Sequence, residues 1–543
     1  MFNARRSHRL ICCGLPVALA AVCLALLGCG RSPAPQPAGS PTPSASGHPD
    51  AQQPSAQQPA AVAPAVKSTA SDGAEDFWDV SYIQGAKVGR FHTTIKPISV
   101  DGQQLVQTHH EGELTVQRFG ATITQALELR SVESPEGRLV RCAAVMKIGQ
   151  SPASIDAEVE GEKLRAKLST FGREATKEIS WDGSWGGYFA MDQSLRRKPL
   201  KPGESRTLKA LMPLATELAL AEVTLSAVEK ENTKMLDGQR QLLRIDVVMK
   251  AGGPADQEFT VWADEQGDVL KQFVPGMQLE TYRVSRASAE ADDGAAAFDI
   301  GKFAAVKVGR DLSDVHTARR AVYTVRLQSG DPSEIFPHGA SQQVKRLGPH
   351  EAEITVIGLR PDAPSTPAVK APLPTPEDLD ANNLVQSDDA EVKRLAASVA
   401  VDEPDSWKVA VALERFVATS MTNRNFSQAF ATAAEVARTR EGDCTEHAVL
   451  LAALCRARRI PARVAIGLVY YPPEQGFAYH MWNEVWTDDR WTPLDGTLGR
   501  GGIGAGHLKV AESNLSGSDG ASAFLPVAKV MGQLTIAAGS IEK

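Results

Sequence analysis

Past residue 29 the chain has little cysteine: four of its seven cysteines, Cys12, Cys13, Cys23 and Cys29, lie in the first 29 residues, and only Cys142, Cys444 and Cys455 follow. Three scattered thiols are not the even, closely spaced set of a disulfide-stapled domain, so the body relies on apolar cores and at least one thiol is expected to be free. Positive charge is also short. Lys plus Arg number 58 against 65 Asp plus Glu, and without the first 28 residues, which hold Arg5, Arg6 and Arg9, the net charge falls from −7 to −10. Such a surface excludes a general nucleic-acid binder. There is no second ligand pair at zinc spacing beside Cys444-x-x-His447, and no Asp-x-Asp-x-Asp-Gly calcium loop, so no metal or other cofactor is expected. The adjacent His109 and His110 point to opposite faces of a strand and do not form a joint metal site.

What is present is enough apolar residue, 43% of 543, for more than one core, and a length suited to about three domains. Residues 1–28 read as an export leader: the three arginines, then a mainly apolar, uncharged run from Leu10 to Leu27. Leu26-Leu27-Gly28-Cys29 resembles the bacterial lipobox. That resemblance implies cleavage before Cys29, lipidation of its thiol, and export to the cell envelope with the body held at a membrane on the periplasmic or outer-membrane side. Residues 29–74 read as a disordered tether, because 31–70 hold nine prolines, many Ala, Ser and Gln, and no aromatic residue. Extended, such a segment reaches on the order of 100 Å.

Residues 75–285 alternate in short runs punctuated by Asp101-Gly102, Glu136-Gly137, Glu160-Gly161, Asp182-Gly183 and Asp237-Gly238. Repeated turn dipeptides between alternating runs predict a large antiparallel sheet. In Ile155, Ala157, Val159 and, after the turn, Leu164, Ala166, Leu168, apolar residues fall on every second position, which puts one face on a core. This domain is read as a scaffold, or as a sheet binding lipid or peptide on its concave face. After a break at Ala287–Ala297, residues 298–360 predict a second small β unit with strands near Ala321–Leu327 and Ala352–Ile357. A Pro-rich connector, 361–380, leads to a helical region, 381–512, with helices at Val392–Val399 and Ser406–Thr419, and then to a C-terminal extension, 513–543. The fold class is multidomain α+β.

The chemistry is expected in the helical region. Asp443 is a good N-cap and Glu446, three residues on, completes a capping box, so Cys444 takes the first helical position before the apolar run Ala448–Leu454. There the helix dipole and free N–H groups favour a thiolate. A strand at Arg463–Tyr471, a loop, a strand Phe477–Trp486 carrying His480, a turn at Asp488-Asp489 and a further strand ending at Asp495 follow. Nucleophile, base and orienter appear in the order Cys444, His480, Asp495. Cys455, mid-helix, is a packing residue, and Trp482, Trp486 and Trp491 are expected to pack around the histidine.

Gly442-Asp443-Cys444-Thr445-Glu446-His447-Ala448, then Ile460-Pro461-Ala462-Arg463, His480-Met481-Trp482-Asn483-Glu484-Val485-Trp486 and Trp491-Thr492-Pro493-Leu494-Asp495 resemble the transglutaminase-like superfamily over about residues 390–510. The resemblance implies a papain-like core with Cys444 as nucleophile, His480 as general base and acid, and Asp495 as the carboxylate holding the imidazole. It also implies acyl transfer on a protein or peptide substrate. A peptidase or amidase is favoured over a crosslinking transglutaminase. The Cys444 N–H is expected in the oxyanion hole, with Trp407, Asn425 and Gln428 all open as side-chain donors. The alternative, a catalytically silent envelope binding or assembly lipoprotein, predicts loss of at least one of the three residues, and all three are there.

Overall fold

The computed structural model describes residues 69–70, 74–147, 152–170, 173–213, 218–250, 256–291, 298–359, 372–422, 431–516 and 525–543. The expected leader, Cys29, nearly all of the 29–74 tether and residues 361–371 of the connector lie outside them. So do Asn425 and Gln428.

The architecture is multidomain: a large antiparallel sheet at the N-terminal end, then a mixed α+β region. Among the described residues the first sheet has sixteen strands. It is two meanders joined edge to edge. One runs in hairpins from Glu75–Ile83 to Arg173–Ser180 and the other from Ser205–Pro213 to Leu279–Val284, and the last strand of the second returns to pair with the first strand of the first, Thr281 opposite Ser81. Asp101-Gly102, Glu136-Gly137, Glu160-Gly161 and Asp237-Gly238 each turn one strand into the next, and their glycines take positive φ. Alternation behaves as the pattern requires: Ile155, Ala157, Leu164 and Ala166 are buried. His109 and His110 do face opposite ways, His109 toward Glu128 at 3.1 Å and His110 into the core, where its Nδ1 lies 2.7 Å from the Thr93 hydroxyl.

Two smaller antiparallel sheets follow. One pairs Ala462–Tyr471 with Gly476–Thr487 and with His507–Ser513, and adds Val306–Lys307 and Arg490–Leu494 at Gly476–Thr487. The helix Cys444–Ala457 packs on it, and Ala390–Ser398, Ser406–Ser420 and Ala433–Thr439 pack around that helix. The other sheet has the order Gln342–Gly348, Glu351–Ile357, Arg320–Leu327, Leu534–Glu542. The C-terminal strand therefore completes the unit begun at 298–360. It pairs from Arg320 opposite Glu542 to Leu327 opposite Leu534, with a register shift between Ala321 and Tyr323. The segment around Ala287 forms a short helix, Arg286–Glu290, capped by Ser285.

The first sheet meets the rest in more than one place, as where Arg173 pairs with Asp388 at 2.6 Å, and at the tip of one hairpin, Gln103–Arg118 with Ala121–Glu133. There the Gln117 N–H donates to the Phe298 carbonyl at 2.7 Å, and the Phe119 and Gly120 N–H groups donate to the Asp299 carboxylate at 2.9 and 3.0 Å. The Phe119 ring meets Tyr471 edge-on at 5.3 Å. One apolar cluster runs unbroken from Leu114, Val116 and Ile123 through Ile300 to Leu450 and Phe477. The same Asp299 carboxylate caps Ile300–Ala304 through the Lys302 N–H. Asp299→Ala is expected to cost about 1–2 kcal/mol and to speed amide hydrogen exchange at residues 117–121 above that of the neighbouring strands, read by exchange mass spectrometry.

Candidate active site

Gly442 takes φ +136°, and a Cβ there would collide with the Glu446 side chain. That close approach lets Glu446 turn back on the helix start. Its Oε2 accepts from the Asp443 N–H at 2.9 Å and its Oε1 from the Ala431 N–H at 3.0 Å, while Asp443 Oδ1 accepts from the Thr445 N–H at 2.8 Å. The capping box is complete, and Cys444 is the first helical residue, 1% exposed. The Asp443 carbonyl accepts from the His447 N–H at 3.0 Å and lies 2.5 Å from His447 Nδ1, so His447 serves the helix start.

His480 and Asp495 come from the two strands that flank the Asp488-Asp489 turn. His480 Nε2 and Asp495 Oδ2 are 2.7 Å apart, with both side chains almost wholly buried. Burial pushes the His480 imidazole down, but the Asp495 charge, its hydrogen bond, and a hydrogen bond and charge from Cys444 together raise it to about 10. Nε2 is thus the ring nitrogen on the Asp495 side. Burial pushes the Asp495 carboxyl up, yet the His480 charge and the hydrogen bonds of His480 and His507 hold it well below the usual carboxylate range. Asp495 Oδ1 accepts from the Thr497 N–H at 2.8 Å and the Leu498 N–H at 3.2 Å. These bonds fix the carboxylate against rotation.

Sequence reasoning missed His507. Its Nε2 lies 3.0 Å from the same Asp495 Oδ2. It reaches that point because its strand presses against Gly467, where a Cβ would strike the Leu508 carbonyl and where the ladder shifts register. Gly467 also pairs directly with His480. The ligand atoms of His480, Asp495 and His507 lie within 4.8 Å of one another, close enough to hold a metal ion; in this arrangement both imidazoles approach one carboxylate oxygen within hydrogen-bond distance. Glu414 was missed as well. Its carboxylate accepts from the N–H groups of Asp495, Gly501 and Gly502 at 3.0, 2.6 and 3.3 Å, and burial pushes its pKa up to about 7.

Trp482 lies near-parallel to His480 at 6.0 Å and meets His507 edge-on at 5.1 Å. Trp486 and Trp491 instead pair with each other, and Arg463 covers Trp491 at 4.2 Å. Asn483 donates to the Ala448 carbonyl at 2.9 Å and so ties the histidine strand to the cysteine helix. Trp407 sits in the first turn of Ser406–Ser420, its N–H capped by Asp405. Cys142 and Cys455 are buried free thiols, each pushed up to about 12 by burial.

A family model, the transglutaminase-like superfamily, matches residues 393–496, the segment that carries Cys444, His480 and Asp495. No curated protein matches the chain. Among solved structures, a candidate cysteine protease from Cytophaga hutchinsonii is 17% identical, covers 41% of this chain and 87% of its own, and gives a TM-score of 0.27. A β-barrel-like protein of a domain of unknown function from Brucella abortus is 11% identical, with 38% and 93% covered and a TM-score of 0.29. The periplasmic domain of TgpA from Pseudomonas aeruginosa, bound to ethylmercury, is 16% identical, with 36% and 74% covered and a TM-score of 0.23.

Because Glu414 holds its proton up to about pH 7 in the native state but only to its ordinary value when unfolded, the native chain binds more protons between about pH 4.5 and 7. Stability contributed by this group is therefore lost as pH rises through that window. Glu414→Gln is expected to remove that slope. The lost acceptor adds a pH-independent cost, and the difference in denaturation midpoint should move in the variant's favour from pH 4.5 to 7.

Proposed function

We propose that the chain is a cysteine-dependent acyl-transfer enzyme in which Cys444 is the nucleophile, His480 the proton carrier and Asp495 its orienter, acting by hydrolysis on a peptide or amide. The hydrogen bond from His480 to a carboxylate held well below its usual range, with Cys444 among the groups whose hydrogen bond and charge raise the imidazole, carries the reading. A histidine raised to about 10 is an imidazolium at neutral pH, so Cys444 reacts from a thiolate–imidazolium pair, further favoured by its place at the helix start.

The thiolate attacks the amide carbonyl, and its electron pair forms the C–S bond while the carbonyl π pair moves onto oxygen. The Cys444 N–H faces that oxyanion from the first turn. As the C–N bond breaks, the His480 proton passes to the leaving amine, leaving a thioester and neutral imidazole. Water then gives a proton to His480 and attacks the thioester; the acid leaves and the ion pair is restored. An amine in place of water would make a crosslink. Hydrolysis is the outcome that the resemblance to the transglutaminase-like superfamily favours.

Cys444→Ala and His480→Ala are expected to abolish turnover of a peptide or amide substrate, and Asp495→Ala to leave a small residual rate, since it removes an orienter and not a reacting atom. Cys455→Ala should cost packing alone. In the wild type, kcat/KM should fall as pH rises through about 10, where the imidazolium is lost, and Asp495→Asn should bring that fall to lower pH because burial then acts on His480 with less opposition. Turnover by Cys444→Ala at the wild-type rate defeats the thiol mechanism. If the intact protein turns over no peptide or amide in envelope extracts, the binding-lipoprotein alternative gains.

The same proposal places the enzyme at the cell envelope, anchored through a lipid on Cys29. Mature protein isolated from cells should begin at residue 29 and carry an acyl mass, and Cys29→Ser should lose both. An unacylated wild-type N-terminus elsewhere refutes the anchor.

A further inference from the structure

Arg118 is the last strand residue before the hairpin tip Phe119–Gly120, in the N-terminal sheet, 325 positions before Asp443. Its guanidinium, 0% exposed, is paired with Asp443 Oδ2, and the Asp443 side chain is 1% exposed. The other oxygen of that carboxylate caps the cysteine helix at the Thr445 N–H. One carboxylate thus connects the sheet to the first turn that bears the thiol. The hairpin tip is held from behind by the Phe298 carbonyl and by Asp299, so the guanidinium is delivered by fixed backbone and not by a free arm.

We propose that Arg118 is a positioning residue of the active centre, holding the Asp443 cap and offsetting the negative charge of Asp443 and Glu446 beside the Cys444 thiolate, so that the N-terminal sheet sets the reactivity of the thiol. The inference rests on Cys444 being the reacting group. The charged and titratable groups that face the thiol are Asp443, Glu446 and His447 on its own helix, His480 from the strand, with Asp495, His507 and Glu414 behind it, and Arg118 from the sheet. Without Arg118 the thiolate keeps the His480 imidazolium on one side and meets an unpaired Asp443 carboxylate on the other, with Glu446 pushed further toward its proton. Glu446 already records the balance: burial pushes it up to about 7, Arg118 pulls it down, and Cys444 pushes it further up.

The test is the rate of alkylation of Cys444 by iodoacetamide from pH 4 to 10 in the full-length protein, mapped by peptide mass. Arg118→Met is expected to move the acidic limb up by about one pH unit, which is about a tenfold slower reaction on the acidic side, while the rates converge at high pH. Arg118→Lys should restore most of the limb. Asp443→Asn, which keeps a capping side chain, should move the limb down. The double variant Arg118→Met/Asp443→Asn, in which the buried Arg118–Asp443 pair is removed whole, should lie above the Asp443→Asn limb. If Arg118→Met does not fold, that last comparison carries the test. A purely structural arginine lowers stability and leaves every limb where the wild type has it. Equal limbs for Asp443→Asn and the double variant, or an unmoved limb in folded Arg118→Met, overturn the proposal. A wild-type Cys444 that alkylates with the pH midpoint of an ordinary thiol overturns the enzymatic reading instead.

Discussion

The first turn of the Cys444 helix is sunk out of water, and that single constraint organises the surrounding structure. Its N–H groups have no partner within the helix and no solvent to take one from, so acceptors must come from the chain itself. Asp443 and Glu446 supply them, and Glu446 also answers the Ala431 N–H. Buried carboxylates in turn require a counter-charge or a proton. Arg118 provides the charge for Asp443, while Glu446 moves toward the proton. Removing one member of a buried pair of this kind typically costs about 3–5 kcal/mol, because the remaining charge has nowhere to go.

The same reasoning explains the strand side. Asp495 is wholly buried, and burial alone would neutralise it. It stays charged because two imidazoles and two backbone N–H groups converge on it, leaving its Oδ2 shared between His480 and His507. The two histidines then part company. His480 gains from both Asp495 and Cys444 and rises, whereas His507, pushed down by burial and by the charge of His480, falls despite its bond to the same oxygen. A carboxylate flanked by one charged and one neutral imidazole sets its negative charge against a single positive one. Glu414, behind the Asp495 N–H, is pushed up to about 7 by burial, so below that pH it adds no second negative charge to the group.

What was legible in the sequence was local. Turn dipeptides and alternation located the sheet strands, the Asp443–Glu446 spacing placed Cys444 at the first helical position, and the strand order carried His480 and Asp495 to neighbouring strands. His507, Glu414 and Arg118 gave no such signal. His507 depends on a register shift at Gly467, and a glycine inside an alternating strand was the one mark of close backbone approach there. Glu414 reads as an ordinary polar residue of an amphipathic helix until the loop at Gly501–Gly502 folds over it. The closing of the two meanders through Leu279–Val284 and Glu75–Ile83, and the completion of the last sheet by Leu534–Glu542, join segments roughly two hundred residues apart, which no window of sequence records.

The hairpin tip bears on whether the N-terminal sheet is a spacer or, as proposed, part of the electrostatics at Cys444. A spacer needs only to be folded, and its loops face water at no cost. Here three backbone N–H groups of one loop are spent on Phe298 and Asp299, a phenylalanine ring is spent on Tyr471, and an arginine is taken wholly out of water. Desolvating a guanidinium is unfavourable unless its partner and geometry are fixed, so the contact persists only while the hairpin and the helix start are both in place. The two regions therefore share a free energy: whatever loosens the hairpin exposes Asp443 to the loss of its counter-charge, and whatever disorders the helix start strands Arg118. Coupling of this sort is reciprocal. It makes the integrity of the sheet a condition for the electrostatics at Cys444.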